Sequence, residues 1–538
     1  MVCPGAVQIG ARSRNPREYH SRMTAIRPTQ RADRWVAASV GTIAFAVYLR
    51  TLMPGIAFGD WGEMQTVPHV LGIAHPTGYP TYVLIGWLAQ LVPIGSVAFR
   101  ANVLSAVFAS ATLATVAVIG MRVGSRPLVA AAGAFALGAV GTVWAAATVS
   151  EVNPLHLLFA ALLLHRALVW AERRSVRDLV IGGLLLGLAL GNHLLTLFLA
   201  PFVGLFVLWA GRHELAARPW IVLAAPAAVV VGLAVYIYIP LAASQSPPLP
   251  YNHPTTIDGF LWLVEGVQFR TQFDFLSPKG PGEFLSSLPS LWTLVVARAT
   301  PVVPVLGIGG LVLLTVRRPA FGLLCAAFLL TGVYIWANYL HLEHYLLVPW
   351  LVLGIGTTVA LQGVAHAAAR WGPRIGRTGR VRVDGGALVG VAALVFAVGL
   401  AAVNWASADR SDDVSGQAYV DTVFASLPPD AAILSYWDAS TPLWHGQLVE
   451  GLRPDVVIVD DTNIVYEGWV TRERRIASLI CDRPVFILRL SDGDLVPTSE
   501  AFRLEPFLTV RVAAGGPSAA VDRPIYRVQP LHPSACGA

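Results

Sequence analysis

The run LVGVAALVFAVGLAAVNWASADRSDDVSGQAYVDTVFASLPPDAAILS, residues 388–435, changes character half-way along. Leu388 to Val403 is an unbroken apolar stretch of the kind that crosses a bilayer as a helix. Asp409 to Asp413 is polar, and Gly416 lets the chain turn, which suits a linker. From Tyr419 onward, short helix and strand signals alternate. A membrane part therefore ends here and a folded soluble part begins.

Reading outward, the composition agrees. Of 538 residues, 55% are hydrophobic and only 13% are charged, with a mean hydropathy of +0.61, whereas soluble chains are about a quarter charged. A net charge of +6 and an isoelectric point near 9.3 do not point to nucleic acid, because the arginines collect in short connections between apolar runs. Arg12, Arg14, Arg17, Arg22, Arg27, Arg31 and Arg34 precede the first run, Trp35 to Met53. The positive-inside rule then puts the N-terminus in the cytoplasm, and no small-residue cleavage pattern follows the run, so it reads as a retained helix.

The same rule walks out the topology. Spans are expected at 101–120, 129–149, 154–170, 179–209 (two short spans or a re-entrant pair around Gly191-Asn192-His193), 220–239, a span ending near Val316, 321–337, 345–368 and 388–403. Arg122 and Arg126, Arg173, Arg174 and Arg177, Arg212 and Arg218, Arg317 and Arg318, and Arg370 to Arg382 then all face the cytoplasm. The expected fold is a polytopic all-α membrane protein of about eleven transmembrane helices with a small extracytoplasmic α/β domain at the C-terminus. Residues 1–34 form a basic cytoplasmic segment, 35–405 the membrane domain with external loops 54–101 and 240–290, and 406–538 the soluble domain. Tyr79 to Ile94, bracketed by Pro80 and Pro93, reads as an interfacial helix, because a crossing there would invert every later arginine cluster.

In the soluble domain, helices are expected at 422–426, 441–450 and 472–480 and strands at 431–435, 456–459, 485–490 and 507–513. No glycine-rich phosphate loop follows any strand. Asp438, Trp444, His445, Asp460 and Asp461 sit near strand ends, where caps and turns account for them as well as a ligand does; acceptor recruitment is the role considered for this domain. Of four cysteines, only Cys481 and Cys536 can meet in an oxidising compartment.

Function is sought among polar residues at external span ends. Asp60 and Glu63 are three apart, so a helix starting there puts both carboxylates on one face, although the same spacing makes a capping box. His75 and Tyr79 follow in the same loop. Glu151, Asn192 and His193, Asn252 and His253, and Glu343 and His344 sit at comparable depth. Polar groups at the lipid edge are costly unless they face a cavity, and this repetition suggests one outward-facing polar cavity.

These residues also carry a resemblance. Asp60 through Glu63, His75-Pro76-x-Gly78-Tyr79-Pro80, Arg100 through Ala106, Glu151-Val152, Gly187 through His193 and Tyr251-Asn252-x-Pro254 resemble a large bacterial membrane family catalogued as a domain of unknown function. That family is allied to eukaryotic transmembrane protein O-mannosyltransferases, within the GT-C glycosyltransferases that use lipid-linked sugars. Thr77 replaces a second proline and Asn153 an aromatic of the pattern, departures that bear on acceptor preference. The resemblance implies a GT-C-like membrane domain with Asp60 as the catalytic acidic residue and Glu63 as the competing assignment. The expected reaction is an inverting transfer, possible with mannose, from a polyprenyl phosphate sugar to a protein, glycan or lipid acceptor on the outer face.

A carboxylate can take the acceptor proton and offset the oxocarbenium charge of the sugar. His75, Arg100, His193 and Arg270 are candidates to neutralise the leaving phosphate; Tyr79, Asn102, Glu151 and Asn192 are candidates to hold donor phosphate or sugar. Asn252, His253, Glu343 and His344 are placed on the loop and acceptor side. Metal dependence stays open, since no tight ligand cluster stands out and a divalent cation shared with the donor phosphate would leave little trace. Two other classes remain: a transporter or flippase using the glycine-interrupted spans near Gly182 to Asn192, and an envelope scaffold.

Overall fold

The computed structural model describes residues 31–270, 280–338, 341–371, 384–464, 466–514 and 519–532. The arginines before residue 31, Arg374 to Arg382, Cys3 and Cys536 lie outside them.

Among the described residues, seven helices are long and apolar enough to cross a bilayer: Val97–Arg122, Val152–Arg173, Thr196–Ala217, Pro219–Ser244, Pro319–Asn338, Glu343–Arg370 and Gly385–Ala408. Two broken spans raise the number to nine, Pro127–Gly138 with Gly141–Ala147, bent by 76°, and Gly282–Ala299 with Val302–Arg317, bent by 105°. The expected eleven is reached only by adding Arg31–Arg50, which carries charges at both ends, and Val176–Leu190, whose 15 residues rise only about 22 Å. The stretch 179–209 is indeed two pieces, separated by a turn at Gly191 to Leu195. Part of the loop expected at 240–290 is helical: Ile257–Val264 and the start of Pro281–Ala299. The segment after Tyr79 forms an 11-residue helix, Pro80–Gln90, too short to span.

Lipid-phase helices gain little from hydrophobicity and pack through small residues. Val302–Arg317 and the helix Leu347–Trp371 touch backbone to backbone at Gly307, Gly310 and Gly356, where a Cβ on Gly310 would run into the Gly356 carbonyl. Arginines gather at one end of the bundle. Arg122 bonds Glu172 at 2.6 Å, Arg126 pairs with Asp384, and Arg126, Arg317 and Arg370 surround His366.

The C-terminal domain holds a five-stranded sheet in the order β2-β1-β3-β5-β4, with β1 Ala432–Ser435, β2 Val457–Asp460, β3 Val485–Leu488, β4 Phe502–Val512 and β5 Val521–Pro530. The first three strands are parallel; β5 runs antiparallel to β3 and β4. Strand β5 was not expected from sequence, because VDRPIYRVQP has two prolines and no apolar run. Its interior position is tolerated because Pro524 lies just beyond the residues that pair with β3, so it pairs only with Thr509 of β4. Helices Ser415–Ser426, Trp437–Leu448 and Arg472–Ala477 replace the expected 422–426, 441–450 and 472–480. Cys481 is disulfide-bonded; Cys536 lies outside the described residues.

This domain is not a tethered appendage. Ile56, Phe58 and Ala98 of the membrane domain are buried in one apolar cluster with Tyr419, Val420, Leu443 and Phe486, and the Phe58 and Tyr419 rings are 5.3 Å apart. The soluble domain thereby sits on the loop that carries Asp60.

Candidate active site

The loop between the helices Arg31–Arg50 and Val97–Arg122 is held from inside by amides. Asn102, fully buried, donates to the Met53 carbonyl at 2.8 Å and accepts from Gln65 Nε2 at 2.9 Å and from the Ser150 amide at 2.8 Å. Gln65 Oε1 in turn accepts from the Ala57 amide at 2.9 Å. These bonds satisfy the buried amides, as burial demands, and tie down the chain before the helix Gly59–Val70. That helix starts after Phe58 with no side-chain cap; Asp60 and Glu63 do not form a capping box there.

The two carboxylates differ sharply. Asp60 is exposed in the first helical turn, where the helix dipole favours a negative charge. Glu63 is 2% exposed and takes both the His75 amide, at 2.8 Å, and the His75 ring Nδ1. Burial lifts the Glu63 carboxyl above its usual range, against the pull of His75. Burial also works against charge on His75, but Glu63 and Asp60 outweigh it and raise the imidazole to about 9. Tyr79 closes this chain, its hydroxyl 3.0 Å from His75 Nε2. Glu151 accepts from the Trp61 indole at 3.1 Å, and burial, with the Asp60 charge, pushes it up to about 7.

The far side comes from the C-terminal domain. Trp437 Nε1 donates to Asp60 Oδ1 at 2.7 Å, and the same indole meets the His75 ring edge-on at 5.8 Å. Thr66 and His445 Nδ1 are 3.2 Å apart across the buried interface. Asp438 stands beside Gly59, and burial, then the nearby Asp60 charge, raises it to about 6.

The other expected residues divide. His193 lies edge-on to Tyr79 at 6.1 Å, and Asn192 donates to the Val152 carbonyl at 3.1 Å. Asn252 and His253 line a cavity that also reaches Glu63. His344 lines a smaller cavity with Asn153 and His156. Two guanidinium groups expected at the donor phosphate are engaged elsewhere: Arg100 bonds the Val92 carbonyl at 2.8 Å, and Arg270 pairs with Glu265. Glu343 is a partner of Arg298, at 2.6 and 2.9 Å. Asn102 is engaged in holding the loop.

Sequence reasoning passed over Gln65, Trp437 and Arg410. Arg410 stacks on the Trp61 indole at 4.7 Å, and its Nε and Nη1 are buried with no hydrogen-bond partner among the described residues. It was read as part of a polar linker, and nothing local sets it apart from its neighbours. Asp60, Glu63 and His75 each offer an atom within 4.8 Å of the others, a spacing suited to a cation. Both Glu63 oxygens, however, already take hydrogen bonds from His75.

Two solved structures share this architecture over most of the chain. ArnT from Cupriavidus metallidurans, bound to undecaprenyl phosphate, superposes with a TM-score of 0.55 at 14% identity, covering 93% of this chain and 98% of that one. AglB, the oligosaccharyltransferase of Archaeoglobus fulgidus in complex with an inhibitory peptide and a dolichol-phosphate, gives 0.51 at 11% identity over 88% and 73%. The fold is GT-C. GT-C chains are multi-pass membrane proteins, in accord with the apolar helices here. Residues 60–216 match the family model described as the N-terminal domain of protein O-mannosyl-transferase TMEM260. The mouse protein of that name is 28% identical over 459 residues, 80% of this chain and 63% of the mouse protein, so this GT-C chain spans less than two thirds of that relative. A Dictyostelium discoideum namesake is 34% identical over 67 residues, 12% of this chain and 8% of its own length.

Proposed function

We propose that this protein is a glycosyltransferase that moves a sugar from a polyprenyl phosphate to an acceptor hydroxyl at the outer face of the membrane. The observation that carries the reading is the exposed Asp60 carboxylate, fixed by Trp437 in front of the buried Glu63–His75 pair. Likeness to protein O-mannosyl-transferases supports mannose as the sugar. ArnT was crystallised with undecaprenyl phosphate, which supports a polyprenyl donor.

The chemistry is a single displacement. The acceptor oxygen bonds to the anomeric carbon from the face opposite the phosphate, and its proton passes to Asp60. The bond from that carbon to the phosphate oxygen breaks, and its electron pair leaves with polyprenyl phosphate, so the configuration inverts. Asp60 serves as base because it alone of the two carboxylates reaches solvent; its charge also offsets the oxocarbenium character of the sugar. Glu63 is a positioning residue that acts through His75. Arg410, with two unpartnered N–H groups beside Trp61, is assigned to the leaving phosphate, because a guanidinium matches phosphate oxygens in pairs. A cation among Asp60, Glu63 and His75 would require His75 to release Glu63, and no step is routed through one.

The test is transfer of radiolabelled sugar from a panel of polyprenyl phosphate sugars into envelope acceptors by the purified protein and its Asp60→Asn variant. Transfer by the parent that collapses in a folded, donor-binding variant supports the reading. Absence of transfer from every donor, with acceptor present, would move the weight to a transporter.

A further inference from the structure

Between the Asp60 loop and the C-terminal domain lies a cavity of about 110 Å³, lined among others by Glu63, Tyr251, Trp437, Trp444, Asp460 and Tyr466. It meets an open groove at Asn252 and Tyr466, where Asp258, Trp262 and Gln268 join the wall. Glu63 and Trp437 of the site form part of its wall, and the displacement proposed above leaves the space itself without an occupant.

Two features are independent of each other. The first is a file of five aromatic rings running from the groove to the site. Trp262 to Tyr466, Tyr466 to Tyr251, Tyr251 to Trp437 and Trp437 to Trp444 are separated by 5.3, 5.4, 6.0 and 5.7 Å, and Trp437 ends on Asp60. The second is Asp460, at the end of β2 and 1% exposed. Its Oδ1 accepts from the Thr462 amide at 2.9 Å, and the hydroxyls of Ser440 and Thr462 also serve the carboxylate as hydrogen-bond donors. Its Oδ2 has no hydrogen-bond partner among the described residues. A buried carboxylate oxygen without a donor is costly, and one that lines a cavity points to a ligand that supplies the donor.

The rest of the wall says what kind of ligand. Asp258, Asp460 and Glu467 are acceptors when ionised, Glu63 being already paired with His75, and no Lys or Arg lines the cavity or the groove among the described residues. An anionic group is therefore repelled, and the donor phosphate belongs elsewhere. A ligand rich in hydroxyl donors, with apolar C–H faces to lie on successive rings, matches both features. We propose that this cleft binds an uncharged glycan chain as the acceptor, with one terminal hydroxyl delivered towards Asp60. The proposal rests on the glycosyltransferase reading and names the acceptor class for it.

Binding is measured on the full-length purified protein by calorimetry and by quenching of tryptophan fluorescence. The probes are mannotriose, trigalacturonate and a peptide containing Ser, Thr and Lys. Mannotriose is expected to bind saturably, and trigalacturonate at least about tenfold more weakly. Asp460→Asn, which keeps the shape but changes the acceptor oxygen, is expected to weaken mannotriose about tenfold or more. Trp262→Ala, at the open end, tests the ring file without touching the buried interface and is expected to weaken it about five- to tenfold. Failure of mannotriose to bind the parent, binding of the peptide in its place, or equal affinity in parent and both variants would overturn the proposal. Sugar binding without transfer from any donor would leave the cleft standing and remove the glycosyltransferase reading. Transfer to peptide without sugar binding would do the reverse.

Discussion

Two helices of 12 residues face each other at the heart of the molecule, Gly59–Val70 from the membrane domain and Trp437–Leu448 from the soluble one. Each carries an internal proline, Pro68 and Pro442, and each buries most of its length. The first announces itself in sequence by two acidic residues in a loop that follows an apolar span. The second reads as an ordinary amphipathic segment near a strand end, yet it supplies Trp437, Asp438, Thr441, Trp444 and His445 to the contact. One helix holds the reactive group, and the other fixes how that group is presented.

The comparison breaks most severely at Asp60. Asp60→Asn is expected to lower sugar transfer by roughly 10²–10⁴-fold with donor affinity retained, read by radiolabelled transfer and by donor binding on the same preparation. Next is the support beneath the first helix. Asn102→Ala leaves the Ser150 amide, Gln65 Nε2 and the Met53 carbonyl without their partner and is expected to cost about 2–3 kcal/mol of stability. Thermal unfolding in detergent would show it, together with loss of activity.

Arg410→Gln is expected to raise the KM for donor about tenfold while the KM for acceptor holds; an unchanged donor KM would remove Arg410 from the phosphate site. Trp437→Phe keeps an aromatic ring but removes the N–H to Asp60 together with the five-membered half of the indole. Its expected effect is a roughly fivefold fall in kcat at constant donor KM, the pattern of a positioning residue; a fall in stability alone would reduce Trp437 to packing.

Asp438 gives the smallest effect and a sign that can be checked. Burial, and then the Asp60 charge across the interface, raises its carboxyl from the ordinary 3.8 to about 6. The group therefore contributes stability below about pH 4 and loses it as pH rises through about 6. Asp438→Asn, neutral throughout, is expected to match the parent near pH 4 and to exceed it by about 1 kcal/mol at pH 7.5, after allowance for partial exposure. Melting temperatures at the two pH values decide this, and a gap that is the same at both would refute the interface repulsion.

Legibility followed the range of the interactions. The spans could be read because a lipid environment demands long apolar helices, and their arginine ends mark one side. Strands β1 to β3 were visible as short apolar runs, whereas β5 was not, because its place between β3 and β4 depends on partners elsewhere in the chain. That Asp60, Glu63 and His75 lie close together was legible because they fall within one loop. The contacts of Arg100 with the Val92 carbonyl and of Arg270 with Glu265 were not legible, because residue type says what a guanidinium can do and only its surroundings say what it bonds.

By itself, then, the sequence determined a multi-pass membrane chain with a soluble C-terminal α/β domain and a carboxylate-bearing first loop, since hydropathy, charge bias and short motifs are local quantities. Tertiary structure decided which carboxylate is buried and which is open, that Trp437 reaches Asp60 across 377 positions of chain, that Arg410 stacks on Trp61, and that a ring-lined cleft joins the two domains. These depend on desolvation and on contacts between distant segments, which no stretch of sequence carries alone.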